Sequence, residues 1–272
     1  MVTTTPSRPA HSGTPLPLAP GLCSVALRHL DPEQVIDCAV TGGAKGIEWE
    51  ARKHVPPGDL DSARRVAQLC RSAGLAIPSY GTYVAAGADG AREEFAACLA
   101  SAEALRTPLL RIWTERTTGL EPGAARTALL SRVVSDLIDF CDLAAASGLQ
   151  LSLEFHPGTF THTAAETLDL MQRVGRDNLL THWQPDYGQP IAEATGALRS
   201  VLPRLSHLHV FCWTRDHVRM PLRDHRNYWK PLLDLAASTP DRALPRYAMI
   251  EFSPDNRLEA VLDDLQTLRD LL

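Results

Sequence analysis

Residues 149–186 read LQLSLEFHPGTFTHTAAETLDLMQRVGRDNLLTHWQPD and contain one complete unit of the fold. LQLSLEFH is an apolar run of strand length that ends in polar chemistry at Glu154 and His156. Thr163 to Val174 follows at helical spacing, and NLLTHWQ begins a second strand. A strand, a helix and a strand in this order pair in parallel, because the crossover returns the chain to the same end of the sheet.

The same unit repeats in both directions. Upstream, GLCSVAL reads as a strand and DPEQVIDCAVTGG as a helix, with Asp31 as N-cap and Pro32 at its first position. KGIEWE, LAIPSYGTY and LLRIWTE are further strands. They are separated by helices over Asp61–Ala73, stopped by Gly74, and Ala91–Leu105. Ala124–Ala146 is a long helix ended by Gly148. Downstream, a shorter helix over Ala192–Leu202 leads to LSHLHVFCW, a helix over Trp229–Ala237 to RYAMIEF, and a helix over Arg257–Leu272 closes the chain. Eight alternating units imply the α/β class and a single-domain (β/α)8 TIM barrel over residues 21–272. The competing doubly wound sheet carries a glycine-rich phosphate loop after its first strand, and ALRHLDPEQ has none. Residues 1–20, rich in Pro, Thr and Ser, read as a disordered tail.

Composition narrows the function. Hydrophobic residues make up 44% of the 272 and charged residues 22%, which suits one full core. A net charge of −5 supplies no basic stripe for phosphates, so a nucleic-acid partner is disfavoured. No apolar run reaches the length of a membrane span, and the N-terminus lacks a signal-type apolar segment. Six cysteines without a C-x-x-C spacing read as buried thiols of a reducing compartment, and the expected location is cytoplasmic.

Active sites of such barrels lie at the C-terminal strand ends. Strand five ends with Glu154 and His156, strand six with His182 and Gln184, strand seven carries His207 and His209, and strand eight ends at Glu251. In each pair the two side chains share a face, since alternate residues point the same way. Strand two ends with Glu48, Trp49 and Glu50. Each position has a bland reading: a histidine in an apolar strand is usually a hydrogen-bonded core residue, and a terminal glutamate is usually solvated. Four such groups on four successive strands converge instead on one rim. Two carboxylates, an imidazole and an amide oxygen suit Mn2+, Mg2+ or Co2+ better than structural zinc.

These strand ends resemble the sugar phosphate isomerase/epimerase superfamily, the xylose isomerase-like barrels of AP endonuclease family 2 type, over nearly the whole chain from GLCSVAL to AMIEF. The resemblance implies a divalent metal, Mn2+ first, held by Glu154, Gln184, His209 and Glu251, with Gln184 where the family carries aspartate. Asp186, two residues on, is the alternative ligand. It further implies Glu154 and Glu251 as the catalytic pair, one removing a proton beside a substrate carbonyl and the other returning it through an enediolate. Arg215 in HVFCWTR matches the arginine that holds substrate hydroxyls in the 3-epimerase branch, and Glu48 the strand-two glutamate. His156, Trp113, Trp183 and Tyr80 are candidate substrate contacts, as are Tyr83 and Trp213; plain packing is the alternative for the aromatics. His54 and the PPGD turn are candidates to cover the mouth.

The expected activity is isomerisation or epimerisation of a ketose, inosose or related polyhydroxy carbonyl compound. A lyase or dehydratase on a keto-sugar or inosose is the alternative, and a non-catalytic sugar-binding barrel stands behind both. FSPDN is a poor phosphate cradle, which favours an unphosphorylated substrate. A homo-oligomer is the superfamily's common state. An endonuclease IV-like DNA repair role lacks the further His and Asp ligands and the basic face.

Overall fold

The structure, a computed structural model, describes residues 18–238 and 245–272. Eight strands form a closed, all-parallel barrel in sequential order, β1-β2-β3-β4-β5-β6-β7-β8. They span Ala19–Cys23 (β1), Gly46–Glu50 (β2), Tyr80–Ala86 (β3), Leu109–Thr114 (β4), Gln150–Glu154 (β5), Leu179–Trp183 (β6), Leu205–Val210 (β7) and Tyr247–Ile250 (β8). The helices are Pro32–Thr41 (α1), Leu60–Ser72 (α2), Ala91–Leu105 (α3), Ala124–Ala146 (α4), Ala164–Val174 (α5), Ile191–Val201 (α6), Arg226–Ala237 (α7) and Leu258–Leu271 (α8). This is the TIM barrel that the strand–helix alternation predicts.

The boundaries differ at two strands and at the N-terminus. The run GLCSVAL is strand only to Cys23; Ser24–Leu27 then tightens into a 3-10 turn. LAIPSYGTY pairs late: Ala76 makes an isolated bridge to Gly46, and β3 proper begins at Tyr80 beyond Pro78, whose missing N–H cannot join a ladder. The expected tail lies outside the described residues over 1–17. Its last two residues, however, belong to β1: Ala19 N–H donates to the Arg246 carbonyl and the Pro20 carbonyl accepts from Lys45 N–H.

Helix starts follow local chemistry. Asp31 and Gln34 form a reciprocal capping box on α1, and the Thr163 hydroxyl accepts from Glu166 N–H at the start of α5. The outward faces of the strands pack on the helices in a continuous apolar layer containing Leu22, Ile47, Trp49, Ile112, Leu153, Trp183, Leu208 and Ile250.

The barrel interior is different. Its apolar part is a small cluster of Cys23, Tyr247 and Met249. Above this, buried polar groups fill the lumen: Glu48, Arg111, Ser152, Glu154, His182, His207 and His209. An extra residue in β7, between the pairings Thr181↔Leu205 and Trp183↔Leu208, forms a bulge. It lets both Ser206 and His207 reach inward, the Ser206 hydroxyl to Ser152 and His182, and the His207 ring to within 5.1 Å of that of His182. Gly81 is required by this crowding, because a Cβ there would stand 2.6 Å from an Arg111 nitrogen and 2.8 Å from a Glu48 oxygen.

Candidate metal centre and active site

At the C-terminal rim, Glu154, His209 and Glu251 offer ligand atoms that all lie within 4.8 Å of one another. His209 Nδ1 is 3.5 Å from Glu251 Oε2 and 3.8 Å from Glu154 Oε1, and it lies 2.8 Å from the amide oxygen of Gln184. The Gln184 contact is a hydrogen bond, and the two carboxylates stand wider than the roughly 3 Å between adjacent ligands of an octahedral ion bound at about 2.1 Å, so the group would close slightly around a cation. Asp186 is turned away: it is exposed and bonded to His162 Nε2 at 3.1 Å. Gln184 thus lies against the cluster and the Asp186 side chain does not.

Below the cluster lies Glu48, which is 2% exposed. It takes His209 Nε2 at 3.2 Å, Arg111 Nε at 3.2 Å and the Ser79 hydroxyl. A carboxylate on the far nitrogen of a ligating histidine fixes the tautomer and aims the other nitrogen at the cation. The sequence reading placed Glu48 against substrate; the structure places it beneath His209, because position 48 sits one pleat deeper than Glu50.

Arg111, on β4, is the group the sequence reading missed. Its signal was an arginine in the middle of the apolar run LLRIWTE, on the same face as Trp113. The buried guanidinium bridges Glu48 and Glu154. Trp113 Nε1–H donates to the same Glu154 oxygen as Arg111, Oε2. Glu251 is the contrasting case: it is 6% exposed, and its Oε2 has no hydrogen-bond partner among the described residues.

These surroundings separate the acidities. Burial raises the Glu154 carboxyl, but Arg111 and then His209 more than offset it, so it stays ionised below the usual carboxylate range. Burial lifts Glu251 to about 7, with Glu154 adding to the rise and His209 opposing it. Burial lowers His209, yet Glu251 and Glu48 carry it up to about 9. His182, buried beside Glu48, falls to about 4 and is neutral.

The donor set fits a divalent cation. Three buried carboxylates (Glu48, Glu154, Glu251) face Arg111 and the His209 imidazolium, and a divalent ion that displaced the His209 proton would balance them. The Glu251 oxygen without a hydrogen-bond partner among the described residues lies among these atoms, where such an ion would satisfy it. Cys23, Glu48 and His209 form a second close group. Glu48 is committed there to Arg111 and His209, and burial pushes the Cys23 thiol well above its usual value, which disfavours the thiolate a metal needs.

Other expected contacts move. Tyr80 and Trp183 are fully buried and face the helices: Tyr80 donates to the Val55 carbonyl at 2.6 Å, and Trp183 packs edge-on to Trp229. Strand alternation explains both, since each is flanked by residues that face inward. His54 is buried as well, bonded to the Ser24 hydroxyl and the Leu30 carbonyl, so it ties two loops together below the mouth. Trp113 and His156 do line the rim, their rings 4.5 Å apart. Arg215 sits at the exposed tip of a turn in which Trp213 bridges Arg219 and His217 has φ 60°. The turn brings back Arg219 instead, whose guanidinium stacks on Trp213 and Phe252 at 4.9 and 4.6 Å and is attracted by Glu251.

Fold and site together define a parallel eight-stranded barrel with a carboxylate–histidine–amide cluster at its catalytic rim. The chain belongs to the xylose isomerase-like TIM barrel family, whose model matches residues 36–268. No curated protein matches it in sequence. Among solved structures it is similar to the probable 3-DHS dehydratase AsbF of Bacillus anthracis, with TM-score 0.75, 17% identity and coverage of 93% of this chain and 99% of that one. It is also similar to a D-allulose 3-epimerase from Methylomonas sp., with TM-score 0.69, 15% identity and 95% and 99% coverage. A third is a xylose isomerase-like barrel protein from Mycobacterium smegmatis in complex with magnesium, with TM-score 0.65, 15% identity and 94% and 98% coverage. At these identities the likeness establishes the fold. No described helix is long and apolar enough to cross a membrane.

Proposed function

We propose that this chain is a divalent-metal-dependent enzyme that moves a proton beside the carbonyl of a small polyhydroxy compound, a ketose, inosose or related keto-sugar. The observation that carries this reading is the buried Glu251 oxygen, which has no hydrogen-bond partner among the described residues and stands 3.5 Å from His209 beside Glu154 and Gln184. Those four residues would hold the ion, with Mn2+ the first choice and Mg2+ or Co2+ also compatible with the donors. When bound, such an ion supplies Lewis acidity at a carbonyl and its neighbouring hydroxyl.

Glu251 is the proton carrier. Its carboxylate is buried at the cluster with one oxygen in no hydrogen bond among the described residues, which leaves it free to take and return a proton. Arg111 and Trp113 hold Glu154 in place and keep it ionised. Glu48 holds His209 in the orientation that turns Nδ1 to the cluster. Trp113 and His156 form one wall of the mouth, against which the C–H face of a sugar packs. The epimerase and dehydratase folds among the neighbours support carbonyl-adjacent proton transfer as the shared chemistry.

One observation favours the lyase as a second reading. Epimerisation by two carboxylates needs both to exchange a proton, and Glu154 Oε2 already accepts from two donors. A single mobile proton at Glu251 serves elimination of a β-hydroxyl as well as isomerisation. Proton NMR in D2O with Mn2+- or Mg2+-loaded protein and a panel of ketoses and inososes tests both. Solvent deuterium at the α-carbon with retained oxygen content indicates isomerase or epimerase chemistry, and loss of water indicates the lyase. Exchange that persists in Glu251→Gln at the wild-type rate overturns the assignment of the proton carrier.

A further inference from the structure

The β2–β4 side of the mouth carries positive charge that the cluster does not use. Tyr83 faces inward from β3 and packs edge-on to Trp113, with ring centroids 5.5 Å apart. Its hydroxyl takes Arg28 and approaches Glu50 at 3.3 Å. The Arg52 guanidinium lies 4.1 Å from the centre of its ring. Glu50 accounts for Arg28, with which it forms an ion pair, and not for Arg52. Its carboxylate already accepts from the backbone N–H groups of Arg52, Lys53 and His54, and Arg28 stands 3.7 Å away. Arg52 and Lys53 are exposed and have no ion-pair partner among the described residues. In a chain of net charge −5 this is a local excess of cations, set on one lip of the active site.

We infer that Arg28 and Arg52, braced by Tyr83, form a subsite for an anionic group of the substrate, a carboxylate or a phosphate ester. A planar guanidinium stacked on an aromatic ring keeps its N–H edge free and pre-oriented, which is the arrangement that grips carboxylate and phosphate oxygens. From Arg52 the wall runs over Tyr83 to Trp113 and so to Glu154, which Trp113 bonds. The anion therefore sits at the far end of the substrate from the carbon whose proton is moved, and the preferred substrates are sugar acids, keto acids of cyclic polyols or sugar phosphates. This conclusion about substrate rests on the proposed function; the existence of the anion subsite does not.

The test uses the full chain in the presence of Mg2+, at low ionic strength, and follows the indole N–H resonance of Trp113, assigned with Trp113→Phe. Acetate, inorganic phosphate and the neutral polyol glycerol are titrated separately. A saturable shift with acetate or phosphate and none with glycerol is expected, and it weakens at least about tenfold in Arg28→Gln/Arg52→Gln. Arg52→Lys, which keeps the charge but loses the planar fork, retains part of the affinity. The stronger of the two anions identifies the carboxylate or the phosphate source. The absence of any saturable response to either anion, or an equal response in the double variant, overturns the proposal. Failure of metal binding with the anion response intact would sink the proposed function and leave this subsite standing.

Discussion

Glu154 and Glu251 are two buried glutamates at the same rim of one barrel, yet the chain treats them oppositely. Glu154 sits on the β4–β5 side, where Arg111 and Trp113 donate to it from below and beside. Glu251 sits past β8, where its nearest cationic neighbour is His209 at 3.5 Å and one oxygen has no hydrogen-bond partner among the described residues. Identical side chains thus become a fixed anion and a titrating group through their neighbours alone. The difference teaches that ligand identity at a strand end is an incomplete description of such a site; the donors one pleat away decide which carboxylate is mobile.

The largest expected effect tests that asymmetry at Glu251. Glu251→Gln keeps an oxygen donor but removes the proton carrier, so α-carbon deuterium exchange falls about a thousandfold, read by NMR with the metal content checked separately. Removing the fixed cation is nearly as severe. Arg111→Met leaves Glu48 and Glu154 buried without their counter-charge and destabilises the fold by about 3–5 kcal/mol in urea unfolding. A loss under about 1 kcal/mol would mean that the two sides of the site are not as different as described.

A third prediction concerns pH. A cation must displace the His209 proton below pH about 9 and the Glu251 proton as well below about 7. Apparent affinity for Mn2+ therefore rises about tenfold per unit between pH 7 and 9, more steeply below 7, and levels off above 9 by calorimetry. The linkage in the metal-free protein has the opposite sense. Both groups are raised above their unfolded values of 6.5 and 4.5, so their contribution to stability is complete below those values. It is lost as pH rises through about 7 for Glu251 and about 9 for His209, so unfolding in chelator becomes easier from neutral to alkaline pH while the metal-loaded protein is spared. The smallest effect belongs to the residues turned away from the site: Tyr80→Phe costs about 1 kcal/mol through the lost bond to Val55 and leaves exchange kinetics unchanged.

The barrel was legible because every strand–helix unit carries its own periodicity and stop signals. Helices α3 and α4 occupy the spans read from the sequence, Ala91–Leu105 and Ala124–Ala146. The meeting of positions 154, 184, 209 and 251 was legible for the same reason, since strand ends of a parallel barrel share one rim. Tyr80 and Trp183 could have been excluded by alternation, because His182 and Gln184 on either side of Trp183 already claim the inner face. Arg215 against Arg219 was not legible: a tight turn decides which of two arginines returns to the barrel, and its geometry has no periodic trace. Arg111 was hidden by its apolar neighbours Leu110 and Ile112, which face outward while it faces in.

Diffraction from a crystal soaked in Mn2+, recorded at the manganese absorption edge, addresses the central claim most directly. The account predicts one strong anomalous peak bounded by Glu154 Oε1, the Gln184 amide oxygen, His209 Nδ1 and Glu251 Oε2. A peak among Cys23, Glu48 and His209 instead, or none at the rim when Mn2+ saturates the crystal, would contradict it.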